Sequence, residues 1–335
     1  MLKMTMTMNR IISLLIITTL ALTSCDQKAN LDSKTEIGKL NDLLQKYEEP
    51  SQFFSISSDS IVHVIGEKGT VININPSDLI TENGHPIVDN IEVELKELTN
   101  QNQMFRTNAQ TVSNGKLLVS GGAYFINIKT KGQQVKLKPN KTLKVEFPKL
   151  AENEMTLFYG QRDSLGQINW DSVPKKFEKK PKLVSVRCTF CGDKNCLHSR
   201  MATPEEAELE DKLYTAIELS NLGWINCDRF LEIENKTDLM VNFGLVEKIS
   251  TANIYLIFED INSVMQTCLI NDNDKVKNNT FKNIPTGSKV RLVAYTLKDD
   301  KIFTYSSRMT IKENQTLTLV FKETNENDFK TLISN

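Results

Sequence analysis

The stretch Ile91-Glu92-Val93-Glu94-Leu95-Lys96-Glu97-Leu98 alternates apolar and charged residues from Ile91 to Lys96. Successive side chains of an extended chain point to opposite faces. A period of two therefore predicts a half-buried strand with Ile91, Val93 and Leu95 inward; the charged residues, Glu92, Glu94 and Glu97 among them, are read by their charge as facing outward. Similar short runs recur at 61–65, 70–75, 123–128, 134–138, 142–147 and 155–160, with turn signals at Asn83-Gly84, Asn114-Gly115 and Lys131-Gly132 between them. Short strands punctuated this closely predict an antiparallel β-sandwich over residues 55–170. His63, inside an apolar run, reads as a packed strand residue, and His85 as an exposed turn residue.

The order breaks over 171–213. Lys175, Lys176, Lys179, Lys180 and Lys182 cluster around Pro174 and Pro181, the composition of a solvated linker, and a cysteine-bearing stretch follows. Thr203-Pro204-Glu205 is a helix-start signal. Alternating and apolar runs return at 238–243, 254–258, 289–295, 302–305 and 315–321, predicting a second, smaller sandwich over 214–335. Ahead of the first sandwich, Ile37, Leu40, Leu43, Leu44 and Tyr47 recur at helical spacing. Residues 25–54 are accordingly expected to be a tether carrying a short helix. The expected fold class is mainly β: two antiparallel, Ig-like sandwich domains with a short N-terminal helix and a cysteine-bearing linker.

Residues 1–24 contain Lys3 and Arg10 and no acid, and an apolar run from Ile11 to Leu22 follows that basic lead. This is the order of a secretory signal peptide, too short to span a bilayer comfortably. Leu22-Thr23-Ser24-Cys25 resembles a bacterial lipobox, which implies that Cys25 is acylated, with palmitate-like chains, and becomes the mature N-terminus. Each buried methylene adds about 0.8 kcal/mol, so more than one acyl chain makes a firm anchor. The expected address is the cell envelope, on the outer membrane. The chain balances 41 basic against 42 acidic residues, which is no footprint for nucleic acid. The expected partners are the membrane, through the anchor, and another envelope protein or a glycan.

Three segments carry a family resemblance. The stretch from Gly69-Thr70-Val71 to Asn83-Gly84, the alternating run at 91–97 and the stretch from Thr111 to Gly122 resemble a domain of Bacteroidetes-type envelope lipoproteins, similar in outline to ZU5-like sandwiches. Leu222-Gly223-Trp224-Ile225-Asn226-Cys227-Asp228-Arg229-Phe230 resembles a segment that follows that domain. The resemblance implies a fold and an address and carries no activity with it. Some ZU5 domains cleave themselves at a His-Phe-Ser type site, and no His-aromatic-Ser string occurs here.

The densest chemistry lies at Cys188, Cys191, Cys196 and His198. Three thiolates and an imidazole suit tetrahedral zinc, whereas an exported compartment favours disulfides. With Cys25 lipidated, those three cysteines are joined by Cys227 and Cys268 as candidates for bridges. Trp224, Asp228 and Arg229 read either as a ligand-contacting set or as a core tryptophan beside an Asp–Arg pair at a domain junction. No Gly-x-Ser-x-Gly, His-Glu-x-x-His or phosphate-loop string occurs, so no catalytic residue is assigned, no cofactor is expected apart from zinc at the cysteine cluster, and the chain is not expected to be an enzyme. The expected role is a membrane-anchored binding or structural module. The alternative is a metal-binding or redox-active module at the cysteine cluster.

Overall fold

The alternating run becomes the strand Ile91–Leu98 of the largest sheet. The structure is a computed structural model that describes residues 35–179, 183–187, 197–201, 212–244, 249–272, 275–277 and 279–334. It is mainly β, built of several antiparallel sheets and few helices. The largest sheet runs in the order Gln52–Ile56, Ile91–Leu98, Lys116–Thr130, Gly223–Phe230, Thr156–Arg162, Ile168–Lys176. A smaller sheet, in the order Ile217–Leu219, Leu143–Glu146, Val71–Ile74, Val62–Ile65, faces it. Val93, Leu95, Tyr124, Ile126, Ile72 and Val145 meet between the two sheets. Full burial of side chains this size is worth about 1.5–3 kcal/mol each.

A second pair of sheets forms the C-terminal half. One centres on Thr251–Phe258 and Lys289–Lys298, and the other joins Thr280–Pro285, Lys236–Phe243 and Gln315–Leu319. Leu239, Val241, Ile254, Leu256 and Phe281 fill the space between them. Lys236–Phe243 pairs parallel with Gln315–Leu319, a departure from the antiparallel expectation. The strand Thr251–Phe258 is buried on both faces. Its other face, with Tyr255 and Ile257, belongs to a third core.

That third core is the seam between the halves. The outer face of the large sheet contributes Leu98, Ala123, Phe158 and Trp170, and three helices fill the remaining space. They are the helix over residues 35–45, Gln101–Arg106 and Glu326–Ser334. Backbone hydrogen bonds cross the seam: Thr111 N–H donates to the Val264 carbonyl at 2.7 Å and Ser120 N–H to that of Asn262 at 3.0 Å. Among the described residues no helix is long and apolar enough to cross a membrane.

Several expectations change here. The N-terminal helix is no solvated tether: Ile37, Leu40, Leu43 and Leu44 are buried, and the leucines lie against both halves. Its apolar stripe needs a partner, and the seam supplies one. The boundary drawn at 213/214 also moves, because Ile217–Leu219 and Gly223–Phe230 pair into the two sheets of the first half. Glu97 points inward and is 1% exposed. Its carboxylate accepts from the backbone N–H groups of Lys68 and Thr70 and from Gln52 Nε2, which satisfies the buried charge. His63 lies on the exposed face of its strand, hydrogen-bonded to Asn73. Lys175 and Lys176 complete the strand Ile168–Lys176, while Lys180, Lys182 and the signal at Thr203-Pro204 lie outside the described residues.

Candidate functional site

Antiparallel register sets Lys96, Phe125, Trp224, Gly160 and Trp170 in one row across five strands. Directly paired residues share a face, and this row lies on the outer face, where the cover of the C-terminal half ends. Gly160 makes the row possible. A Cβ there would sit 2.6 Å from the Trp170 ring, so only hydrogen leaves Trp170 room to lie over the strand. Trp170 is fully buried and its indole N–H donates to the Gln110 carbonyl at 2.5 Å. Its ring meets Trp224 edge-on, with centroids 6.4 Å apart and planes at 85°. Phe125 leans on the other side of Trp224 at 5.1 Å. Phe125 and Trp224 are only partly buried, and both line a cleft of about 330 Å³.

The helix over residues 35–45 and the residues just after it wall the cleft with Asn41, Gln45 and Glu48; the end of the short helix adds Arg106, the segment after it Asn108, and the turn before Ile168 adds Gly166. Arg162 lies over the Trp224 ring, 4.9 Å from its centroid, and donates to the carbonyls of Thr107, Asn108 and Gly166 at 3.0, 2.7 and 2.7 Å. Burial pulls its pKa down from the ordinary arginine value, while Tyr255, Glu48 and Asp163 act against that pull. The group stays cationic at neutral pH. Lys96 pairs with Glu48 at 2.8 Å. Glu49 receives Lys68 and Arg106, each at 3.0 Å. Burial raises the Glu49 pKa, but these two cations together hold it below the ordinary value.

A layer of amides backs the cleft. Asn41 Nδ2 donates to the Leu165 carbonyl at 2.8 Å and Asn108 Nδ2 to that of Gly166 at 3.3 Å. From the C-terminal half, Asn253 Nδ2 donates to Asn41 Oδ1 at 3.2 Å and the Tyr255 hydroxyl to Asn108 Oδ1 at 2.9 Å. The cleft walls are thereby fixed to both halves, a preorganised arrangement that lowers the entropy lost on binding.

Of the set read from the sequence, only Trp224 lines this cleft. Asp228 is fully buried and accepts from Asn226 Nδ2 at 2.6 Å. Burial pushes its carboxyl pKa well up, against the hydrogen bonds of Ser120, Gly121 and Asn226. Asp228 and Arg229 do not form the expected pair, since consecutive strand residues point to opposite faces. Cys227 and Cys268 are buried free thiols and form no bridge. Cys227 packs in the core between the first two sheets, whereas Cys268 sits in register with Asn253 of the C-terminal sheet. Burial pushes the Cys227 thiol well up and the Cys268 thiol up to about 12, so neither is a reactive thiolate at neutral pH. His198 belongs to the strand Leu197–Met201, opposite Val186; its side chain lies outside what the structure describes. Cys25, Cys188, Cys191 and Cys196 lie outside the described residues. Among the described residues no group of three His, Cys, Asp or Glu side chains is placed to hold a metal ion.

Sequence reasoning missed Lys96, Phe125, Gly160 and Arg162. Phe125 and Lys96 stood in runs already read as strands, and an outward aromatic at 125 was the available signal. Their convergence on Trp224 depends on a pairing order that no single strand displays. Comparison of the chain with protein-family models, with curated proteins and with solved structures finds no match.

Proposed function

We propose that the chain is an exported, lipid-anchored binding module of the cell envelope, and that it recognises its ligand in the cleft at Trp224. One observation carries the recognition site: a partly exposed tryptophan is held by Arg162, Phe125 and Trp170 on the floor of a polar-walled concavity. Ligand sites are typically concave, mostly apolar at the base and provided with a few fixed polar groups, and they favour the junctions between domains. A cavity of 330 Å³ at the seam suits a small ligand or one unit of a longer one. The anchor rests on the basic lead, the apolar run and the lipobox-like Leu22-Thr23-Ser24-Cys25. The buried thiols Cys227 and Cys268 lend no support to a redox role for that pair.

Two experiments test the reading. Mass spectrometry of the N-terminal peptide from native membranes is expected to find an acylated Cys25, and Cys25→Ser to release the chain from the membrane. An unmodified Cys25 refutes the anchor. Screening the purified chain on an array of envelope glycans and envelope proteins is expected to give a ligand whose binding Trp224→Ala abolishes. Binding that survives Trp224→Ala refutes the cleft.

A further inference from the structure

We infer that the ligand of this cleft is a neutral saccharide chain lying across the strands, with one ring at Trp224 and a later one at Phe53; the inference rests on the binding reading above. The first argument is charge. Lys96 is paired with Glu48 and Arg106 with Glu49. Arg162 is bound to three carbonyls, and Glu94 accepts from Ser51 and Asn127. An ionic ligand would have to break one of these arrangements and strand its partner, which is costly in a partly desolvated site. A neutral polyhydroxyl ligand can share their remaining lone pairs and N–H groups without displacing any charge.

The second argument is shape. Pyranose rings present C–H faces that match aromatic rings and hydroxyls around the rim that match amides and charged groups. The cleft offers both, with Phe125 and Trp224 below and Asn41, Gln45 and Asn108 at the walls. An extended peptide added as a strand would need a free sheet edge, and this site lies on a face.

The third argument is direction. Phe53 pairs with Glu94 and Glu94 with Asn127, the row adjacent to Lys96–Phe125–Trp224 on the same outer face. Phe53 is 60% exposed. Three strand intervals separate it from the strand of Trp224, about 14 Å at ordinary strand spacing. That span exceeds one sugar ring and suits a short oligosaccharide. Between the two aromatics stand Glu94 and Asn127, and Gln134 donates to Asn127. Glu94 and Gln134 are partly exposed and Asn127 is buried, so the groups offered along the path are those of Glu94 and Gln134. The seam core takes in Leu98 and Ala123 of these two strands and no residue of the Glu94–Asn127 row.

The test titrates the full chain with neutral oligosaccharides taken from a glycan-array screen, in a series from monosaccharide to hexasaccharide, with oligogalacturonate as the acidic comparator. Affinity is expected to rise about tenfold along the neutral series, equivalent to about 1.4 kcal/mol. Phe53→Ala, an exposed change, is expected to remove that rise and leave monosaccharide binding intact. Tighter binding of oligogalacturonate, an affinity independent of length, an indifferent Phe53→Ala, or an array with no neutral hit would each overturn the inference. In the first three cases, loss of binding in Trp224→Ala would leave the cleft reading standing, and binding retained in that variant would overturn both.

Discussion

The guanidinium of Arg162 lies 4.9 Å from the centroid of the Trp224 ring while three backbone carbonyls hold its N–H groups. The carbonyls come from the segment at 107–108 and the turn at 166, so main chain rather than a mobile side chain fixes the cation over the indole. Cation–π contacts of this kind are worth about 0.5–2 kcal/mol, and here the contact also orients the floor of the cleft.

Arg162→Lys keeps the charge and discards the planar fork. An ammonium cannot serve three carbonyls and stack on the ring at once. The variant is expected to lose about 1–2 kcal/mol of stability and to bind the cleft ligand about tenfold more weakly. Urea denaturation and ligand titration on the same preparation check both effects. A variant that binds as tightly as the parent would separate Arg162 from recognition.

Gly160→Ala places a methyl group where the Trp170 ring lies. Overpacking of this kind costs about 1–3 kcal/mol. Because Trp170 buttresses Trp224 edge-on, the change is also expected to alter the tryptophan fluorescence and near-UV dichroism. Unchanged spectra with unchanged stability would show that the row has slack the geometry does not reveal.

Asp228 contributes a pH-dependent stability of defined sign. Its folded pKa lies above the ordinary value of 3.8, with burial the main cause. The favourable contribution is therefore full below the unfolded pKa, and it is lost as pH rises through the folded one. Asp228→Asn keeps the carbonyl that accepts from Asn226 and cannot ionise. The variant is expected to match the parent near pH 4 and to exceed it in stability at pH 8. Urea midpoints at the two values decide the matter, and a parent more stable than the variant at pH 8 would contradict the assignment.

Leu40→Ala tests the helix as part of the seam. Leu40 is 1% exposed, and truncation of a buried leucine costs about 2–5 kcal/mol. The Tyr295 hydroxyl also donates to the Leu40 carbonyl at 3.4 Å, so the loss is expected to appear in one cooperative transition. A change below about 0.5 kcal/mol, the range of ordinary surface substitutions, would return the helix to the role of a tether.

The mainly β class was legible from alternation, and Ile91, Val93 and Leu95 face the core as that pattern requires. Glu97 shows the limit of the argument. Its charge placed it outward on paper, yet the period of two sets it on the inward face with Ile91, Val93 and Leu95, and the backbone donors of the turn at 68–70 satisfy it there. The helix stripe at Ile37, Leu40, Leu43 and Leu44 was equally legible, but a periodic stripe names a buried face without naming what buries it. Trp224 was singled out with Asp228 and Arg229 because they adjoin in sequence. Its partners in space, Phe125, Trp170 and Arg162, come from three other strands. Pairing order across a sheet is a non-local property, and the site was hidden for that reason.

The chain holds two tryptophans, so its spectrum offers one indole N–H resonance for the cleft and one for the interior. The most direct measurement follows both while a neutral oligosaccharide is titrated into the nitrogen-15-labelled chain. The account predicts a saturable shift of the Trp224 indole, with a smaller response from Trp170, whose N–H stays on the Gln110 carbonyl. A ligand that binds the chain and leaves the Trp224 resonance where it was would contradict the claim that this cleft is the recognition site.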